Sequence, residues 1–289
     1  RFFNTVFTDY RISYRREDGR RIILPRPILR RIFNGDFRHG GRFYTKAAVY
    51  QSLTKAERRT VRFRCADSKW HPTVEFDYAG LHIRMLYEKV GQPLSLDIDP
   101  YNAVLEMLGT NRSDIEERYG ENAADSIRTD LKRMLLALVN GMVACERTKW
   151  STVLRRANHR LFDDETDPKE ARRRLRRWRR VGLYDPKRRA GRVLDAFRSA
   201  HEPIGEFFAT GCGLDLQFID SEIADHVLRE MMLYRSRSYP IPTLPLHDSF
   251  RTLTEDGPIL KRTMKKVYRY VMQDHIGGNS DFRISVDPV

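Results

Sequence analysis

The sequence predicts an α+β fold in which antiparallel strands from both ends of the chain flank a helical middle. Three observations predict it. Thr73-Val74-Glu75-Phe76-Asp77-Tyr78 is rich in β-branched and aromatic residues and delivers an aspartate close to its end. Leu244-Pro245-Leu246-His247-Asp248-Ser249-Phe250, far along the chain, also reads as a strand that delivers an aspartate. Between them, from Pro100 to about His201, helical periodicity dominates.

The elements follow in order. The first 70 residues are basic and mixed, and Phe33 to Arg42 reads as a loop because its Asn-Gly and Gly-Gly pairs favour positive φ. After the first strand, Leu81 to Val90 is a helix closed by Gly91 and Pro93. In the helical middle, the acidic stretch from Asp163 to Asp167, followed by Pro168, caps a very basic helix, with acids at its N-terminus and arginines beyond. Ile219 to Tyr234 is a further helix, and Pro240, Pro242 and Pro245 prevent its continuation. Pro245 also argues against a central place for the second strand, which returns through Arg251-Thr252-Leu253 as a hairpin. A helix from Pro258 to Gln273 and a strand from Phe282 to Val286 complete the chain.

With 289 residues and 40% hydrophobic content, the chain is long enough for one elaborated globular domain or two. Its 53 Lys+Arg against 39 Asp+Glu give a net charge of +14, which calls for an anionic partner, either nucleic acid or an acidic membrane surface. Cys65, Cys145 and Cys212 are scattered, with neither zinc-ligand spacing nor a disulfide framework, so a reducing, cytoplasmic compartment is expected. The longest aliphatic run, Met134 to Val139, is too short to span a bilayer, and no signal peptide opens the sequence.

Two carboxylates on separate strands, together with a cationic helix, are what metal-dependent nucleotidyl transfer requires. On the predicted middle helix Arg128 and Lys132 are four apart and share a face, while Asn140 lies eight beyond. At about 100° per residue the three fan over roughly a third of the circumference. Two cations there suit a triphosphate, and Asn140-Gly141 offers a close-approach surface for a base or sugar. Taken singly, Asp77 and Asp248 read more readily as turn or capping residues than as ligands, and Arg128 and Lys132 as an ordinary solvated helix face.

The residues resemble a known family. Arg128-x3-Lys132-x7-Asn140-Gly141 resembles motif B of the family A DNA polymerases, R-x3-K-x7-Y-G, on the fingers helix. Asp77-Tyr78-Ala79-Gly80-Leu81-His82-Ile83-Arg84 resembles motif A, D-Y-S-x-x-E-x-R, and His247-Asp248-Ser249 resembles motif C, H-D-E. The related single-subunit phage-type RNA polymerases carry H-D-S followed by Phe, as Ser249-Phe250 does here. Gly41-Arg42 falls where the family has a primer-contacting Gly-Arg, and Gln217 near a glutamine that contacts the template–primer. The motifs stand in the family's order and at matching distances, over roughly Gly40 to Val286.

The resemblance implies a right-hand polymerase palm of antiparallel sheet with a helical fingers insertion and a thumb reduced or absent, in a phage or mobile-element minimal form. Residues 1–70 would be a basic entry segment, 71–100 palm with motif A, 101–205 fingers, and 206–289 palm with motif C. Asp77 and Asp248 would hold two Mg²⁺ ions, with Mn²⁺ able to substitute, while Lys132 and Arg128 bind the triphosphate. Arg84 and His247 would support the primer end. DNA template–primer, or RNA in its place, and nucleoside triphosphates are the implied partners. A processivity partner would compensate for the small thumb.

The departures from the family pattern concern sugar selection. His82 stands where motif A has its glutamate, and Asn140 where motif B has its tyrosine. Both halves of the family's gate against the ribose 2′-hydroxyl are changed, which opens a primase or RNA-polymerase alternative. A catalytically silent nucleic-acid-binding palm is the alternative outside enzymes. The run Arg172 to Arg180, including Arg173 and Arg177, reads as seven unpaired cations around Leu175 and Trp178. Such crowding favours contact with a phosphate backbone over a plain solvated helix.

Overall fold

The computed structural model describes residues 10–45, 50–65, 67–141, 149–163, 167–234, 240–277, 284 and 286–288. In chain order the elements are β1 (Arg11–Arg15), β2 (Arg21–Leu24), β3 (Leu29–Phe33), β4 (Gly40–Thr45), α1 (Lys55–Arg59), β5 (Arg62–Arg64) and β6 (Trp70–Tyr78). Then come α2 (Leu81–Lys89), α3 (Pro100–Glu106), α4 (Arg112–Tyr119), α5 (Glu121–Asn140), α6 (Lys149–Phe162), α7 (Pro168–Arg180) and α8 (Gly191–Ala200). The chain closes with α9 (Gly213–Met232), β7 (Leu244–Leu246), β8 (Ser249–Leu253), α10 (Gly257–Ile276) and β9 (Val286–Pro288). They form two compact units, one of Arg1–Leu81 with Asp215–Val289 and one of His82–Leu214.

The first unit holds the strands. A curled antiparallel sheet runs β2-β1-β5-β6-β8-β7, with β9 added to the C-terminal end of β6, while β3 and β4 form a separate hairpin whose connection, residues 34–39, is the centre of the expected 33–42 loop. β6 joins the two ends of the sequence: its first residues pair with β5, and Thr73 to Asp77 pair with β8. Pro245, which cannot donate a ladder bond, lies in β7 at the sheet edge, as its chemistry requires. Strand alternation gives the pair β6–β8 two different faces. On one, Tyr78 donates its hydroxyl to Met264 O at 2.7 Å and packs near Phe250 and Tyr268, under α10. Gly257 opens that helix; a Cβ there would lie 2.9 Å from Val74 Cγ1, so glycine is what lets the helix approach the sheet. Of the expected final strand, residues 282, 283 and 285 lie outside the described ones; β9 occupies 286–288.

The second unit is helical. Its centre is α5, whose Ile127, Leu131, Met134, Leu135 and Leu138 form a buried stripe at helical spacing. The unit begins near residue 82, well before the 101 expected, because α2 is tied into it. Arg84, 3% exposed, donates to the carbonyls of Leu94, Ser95 and Ile98. Tyr87 meets Nδ1 of buried His201 at 3.0 Å, and His201 Nε2 lies 2.9 Å from Pro100 O. The Nε2–H tautomer satisfies both contacts, since a carbonyl can only accept. Burial pushes the His201 pKa down to about 4. The unit also extends past 205, since the Ala209 amide donates to Leu138 O at 2.7 Å.

Candidate functional site

In the first unit the two sequence-predicted aspartates come together on one strand pair. Asp77 is the penultimate residue of β6 and stands opposite Ser249, while the Tyr78 amide donates to Asp248 O at 3.4 Å. Asp248 was expected in a strand; it occupies the turn instead. Leu246 pairs with Ser249, leaving His247-Asp248 as a two-residue hairpin loop. His247 has φ +56°, a left-handed conformation that histidine tolerates better than most side chains but that still carries strain. The tight turn presents Asp248 next to Asp77, and both are half-buried.

Among the described residues, no group of three or more His, Cys, Asp or Glu gathers as a metal cage. Two adjacent carboxylates nevertheless suit Mg²⁺, a hard cation that keeps several waters and binds through one or two protein carboxylates plus phosphate oxygens. The donor set fits that ion and does not fit zinc.

Around the pair lie the other predicted residues of this unit. Arg42 donates through Nε to Asp220 Oδ2 at 2.7 Å, and its Nη2 is equally close. Burial raises the Asp220 pKa against the pull of Arg42. Gln217, half-buried, lies one helical turn before Asp220 on α9. The His247 ring stands edge-on to Tyr44 at 5.9 Å, and its Nδ1 is buried with no hydrogen-bond partner among the described residues. Burial, reinforced by Arg42, lowers its pKa, so the ring is held neutral.

A constellation missed in the sequence lies on the same face of β6 as Asp77. Glu75, 3% exposed, accepts from Arg251 and, at 3.0 Å, from the Ser249 hydroxyl. Arg251 also donates to Thr73 Oγ1 at 2.8 Å, and Arg58 Nε lies 3.8 Å from Glu75. The signal was present as polar residues at 73, 75 and 77 matched by 249 and 251, a period of two on both strands.

In the second unit α5 carries the predicted cations. Arg128 donates to Asp99 Oδ2 at 3.0 Å and sits 5.0 Å over the Tyr101 ring; exposed Lys132 approaches the same ring at 6.0 Å. Asn140 is exposed at the helix end and donates to Leu136 O at 2.9 Å. A cavity of about 760 Å³ opens between the end of α5 and α6, lined by Leu136, Asn140, Gly141, Arg155, His159 and Arg160 among others. α6 contains no acidic residue. His82 is half-buried in the first turn of α2. The guanidinium of Arg84 is committed to the 94–98 loop, so it orders that loop.

The arginine run on α7 differs from its sequence reading as unpaired cations. Asp130, fully buried on α5, accepts from Arg174 Nε at 2.7 Å, Arg177 at 3.1 Å, Arg133 at 3.1 Å and the Trp178 indole at 2.9 Å. Arg177 also lies 3.5 Å from Glu170. Arg179 and Arg180 stack on Tyr184 and Tyr119. Arg173 stays exposed. Helical periodicity explains the difference: Ala171, Arg174 and Trp178 share one face and turn it inward.

No family model matches the chain, and no curated protein matches it. Among solved structures, the POL domain of Pol1 from M. smegmatis, in complex with DNA primer-template and dNTP, is similar over 94% of this chain at 14% identity, with a TM-score of 0.38. The chain covers 48% of that structure, about half its length. Among the described residues, no helix is long and apolar enough to cross a membrane.

Proposed function

We propose that this chain is a template-directed nucleotidyltransferase that extends a nucleic-acid primer, with dNTPs as its substrates. In this reading the first unit is a palm and the second a fingers domain. The observation that carries it is the convergence of Asp77 and Asp248, from distant parts of the sequence, at one strand end, each flanked by residues resembling the polymerase motifs.

Bound Mg²⁺ would activate the primer 3′-hydroxyl and neutralise the triphosphate. Asp77 and Asp248 would hold it. Lys132, exposed, would bind the triphosphate and stabilise charge developing on the leaving group. Arg128, braced by Asp99 and Tyr101, would assist with its remaining donors. Arg42, braced by Asp220, and His247, neutral and beside Tyr44, would line the primer side with Gln217.

A second reading, primase or RNA polymerase, is favoured by Asn140 and His82. Neither can form the family's aromatic–carboxylate gate, and the Asn140 amide is occupied with Leu136 O.

Primer extension on a labelled primer–template with Mg²⁺ tests both, with dNTPs and rNTPs in separate lanes. Extension by dNTPs alone supports the first reading and comparable extension by rNTPs the second. Asp248→Ala should abolish incorporation and leave duplex binding intact; retained activity would refute the site. Binding without extension in any lane would leave a silent nucleic-acid-binding module.

A further inference from the structure

The buried polar network beside Asp77 has a shape that a merely stabilising ion pair does not need. Glu75, Ser249 and Arg251 are 3%, 5% and 3% exposed, inside a sheet face where apolar residues would pack at lower desolvation cost. Their bonds also cross between strands. Ser249, opposite Asp77 and next to Asp248, donates to Glu75 on β6, and Arg251 on β8 holds both Glu75 and Thr73. Every one of these bonds ties the β7–β8 hairpin to the strand bearing Asp77. The hairpin needs such a tie, because its loop has only two residues and His247 within it is left-handed. A slip of β8 against β6 would carry Asp248 away from Asp77.

We propose that Glu75 is a positioning residue for the Asp77–Asp248 pair, acting through Ser249 and Arg251 to fix the two carboxylates at the spacing a divalent cation requires. The inference rests on the proposed metal role of that pair. It adds a third carboxylate that ligates nothing and is neutralised by Arg251. Outer partners of this kind set the geometry of metal-holding carboxylates, and their loss typically weakens metal binding by ten- to a hundredfold.

The test is Mn²⁺ binding to the whole chain, followed by water-proton relaxation without nucleotide or DNA, alongside thermal unfolding and primer extension. Glu75→Gln keeps shape and removes charge; it should weaken Mn²⁺ binding roughly tenfold. Ser249→Ala, which deletes the hydroxyl that meets Glu75 at 3.0 Å and Leu246 O at 3.1 Å, should weaken it severalfold with little change in melting temperature. The exchange Glu75→Ser with Ser249→Glu returns one carboxylate and one hydroxyl to the same junction and should recover affinity relative to Glu75→Ser alone. If Glu75→Gln does not fold, Ser249→Ala and the exchange decide. Unchanged Mn²⁺ affinity in Ser249→Ala and Glu75→Gln, whatever their stability, would overturn the proposal, as would a wild-type chain that binds no Mn²⁺. Wild-type Mn²⁺ binding that weakens in Glu75→Gln, without primer extension, would sustain this inference while sinking the polymerase reading.

Discussion

Replacing Asp130 by alanine should be among the most damaging single changes in the helical unit. Its carboxylate is fully buried and accepts from three arginines and the Trp178 indole. Without it, the Arg174 guanidinium stays 3% exposed, with Leu161 O and, at 3.9 Å, Glu170 as its neighbours. Removing one partner of a buried ion pair costs about 3–5 kcal/mol, since the remaining charge is left uncompensated. At about 2–4 °C per kcal/mol for a chain of this size class, melting should fall by roughly 6–20 °C. Thermal unfolding by circular dichroism measures this directly. Arg173→Ala, on the exposed side of the same helix, is the control and should stay within about 0.5 kcal/mol of the parent. High salt should leave the Asp130 effect intact, because buried pairs are poorly screened. An Asp130→Ala protein melting within about 2 °C of the parent would refute the idea that this cluster holds α7 on α5.

Stability should also depend on pH through His201. Its folded pKa of about 4 lies below the ordinary 6.5, so between those values the unfolded chain binds a proton that the folded chain refuses. Stability is therefore retained above about pH 6.5 and lost as pH falls towards 4, by about 3 kcal/mol in all. His201→Gln should flatten that slope in urea titrations, and an unchanged slope would show that another group is responsible. Gly257→Ala would set a methyl 2.9 Å from Val74 and should destabilise by about 1–3 kcal/mol despite alanine's better helix propensity; a more stable protein would contradict the close approach. If the cavity between α5 and α6 takes phosphates, Arg155→Ala with Arg160→Ala should reduce the slope of log binding constant against log salt by roughly 1.4–1.8 on single- or double-stranded DNA. An unaltered slope would place those arginines outside the contact.

The strand carrying Asp77 was legible because β-branched and aromatic residues cluster in it. The edge position of β7 was legible because proline lacks a ladder donor. What was misplaced follows from the same local logic. His247-Asp248 read as strand because nothing in its composition resembles a hairpin turn; neither asparagine nor glycine is present, and a left-handed histidine is set by its surroundings. The helical unit starts earlier than expected because Arg84, which the resemblance assigns to the primer end, gives its guanidinium to three carbonyls of the 94–98 loop, a pairing that nothing local in the sequence announces. The α7 arginines read as a ligand surface because their main counter-ion, Asp130, lies far back in the sequence on another helix.

That last point bears on how the charge of the whole chain should be weighed. Asp130 gathers Arg133, Arg174 and Arg177, and Glu75 gathers Arg251 with Arg58 nearby. Each cluster buries one arginine against one carboxylate, Arg174 on Asp130 and Arg251 on Glu75, and holds partly exposed arginines at its edge, so several cations of the chain are engaged within the fold. Among the described residues, exposed cations include Arg155 and Arg160 on α6, Arg173 on α7 and Lys132 on α5. Non-specific affinity for nucleic acid should therefore follow substitutions at Arg155, Arg160 and Arg173 and be insensitive to Arg174, whose loss should act on folding alone.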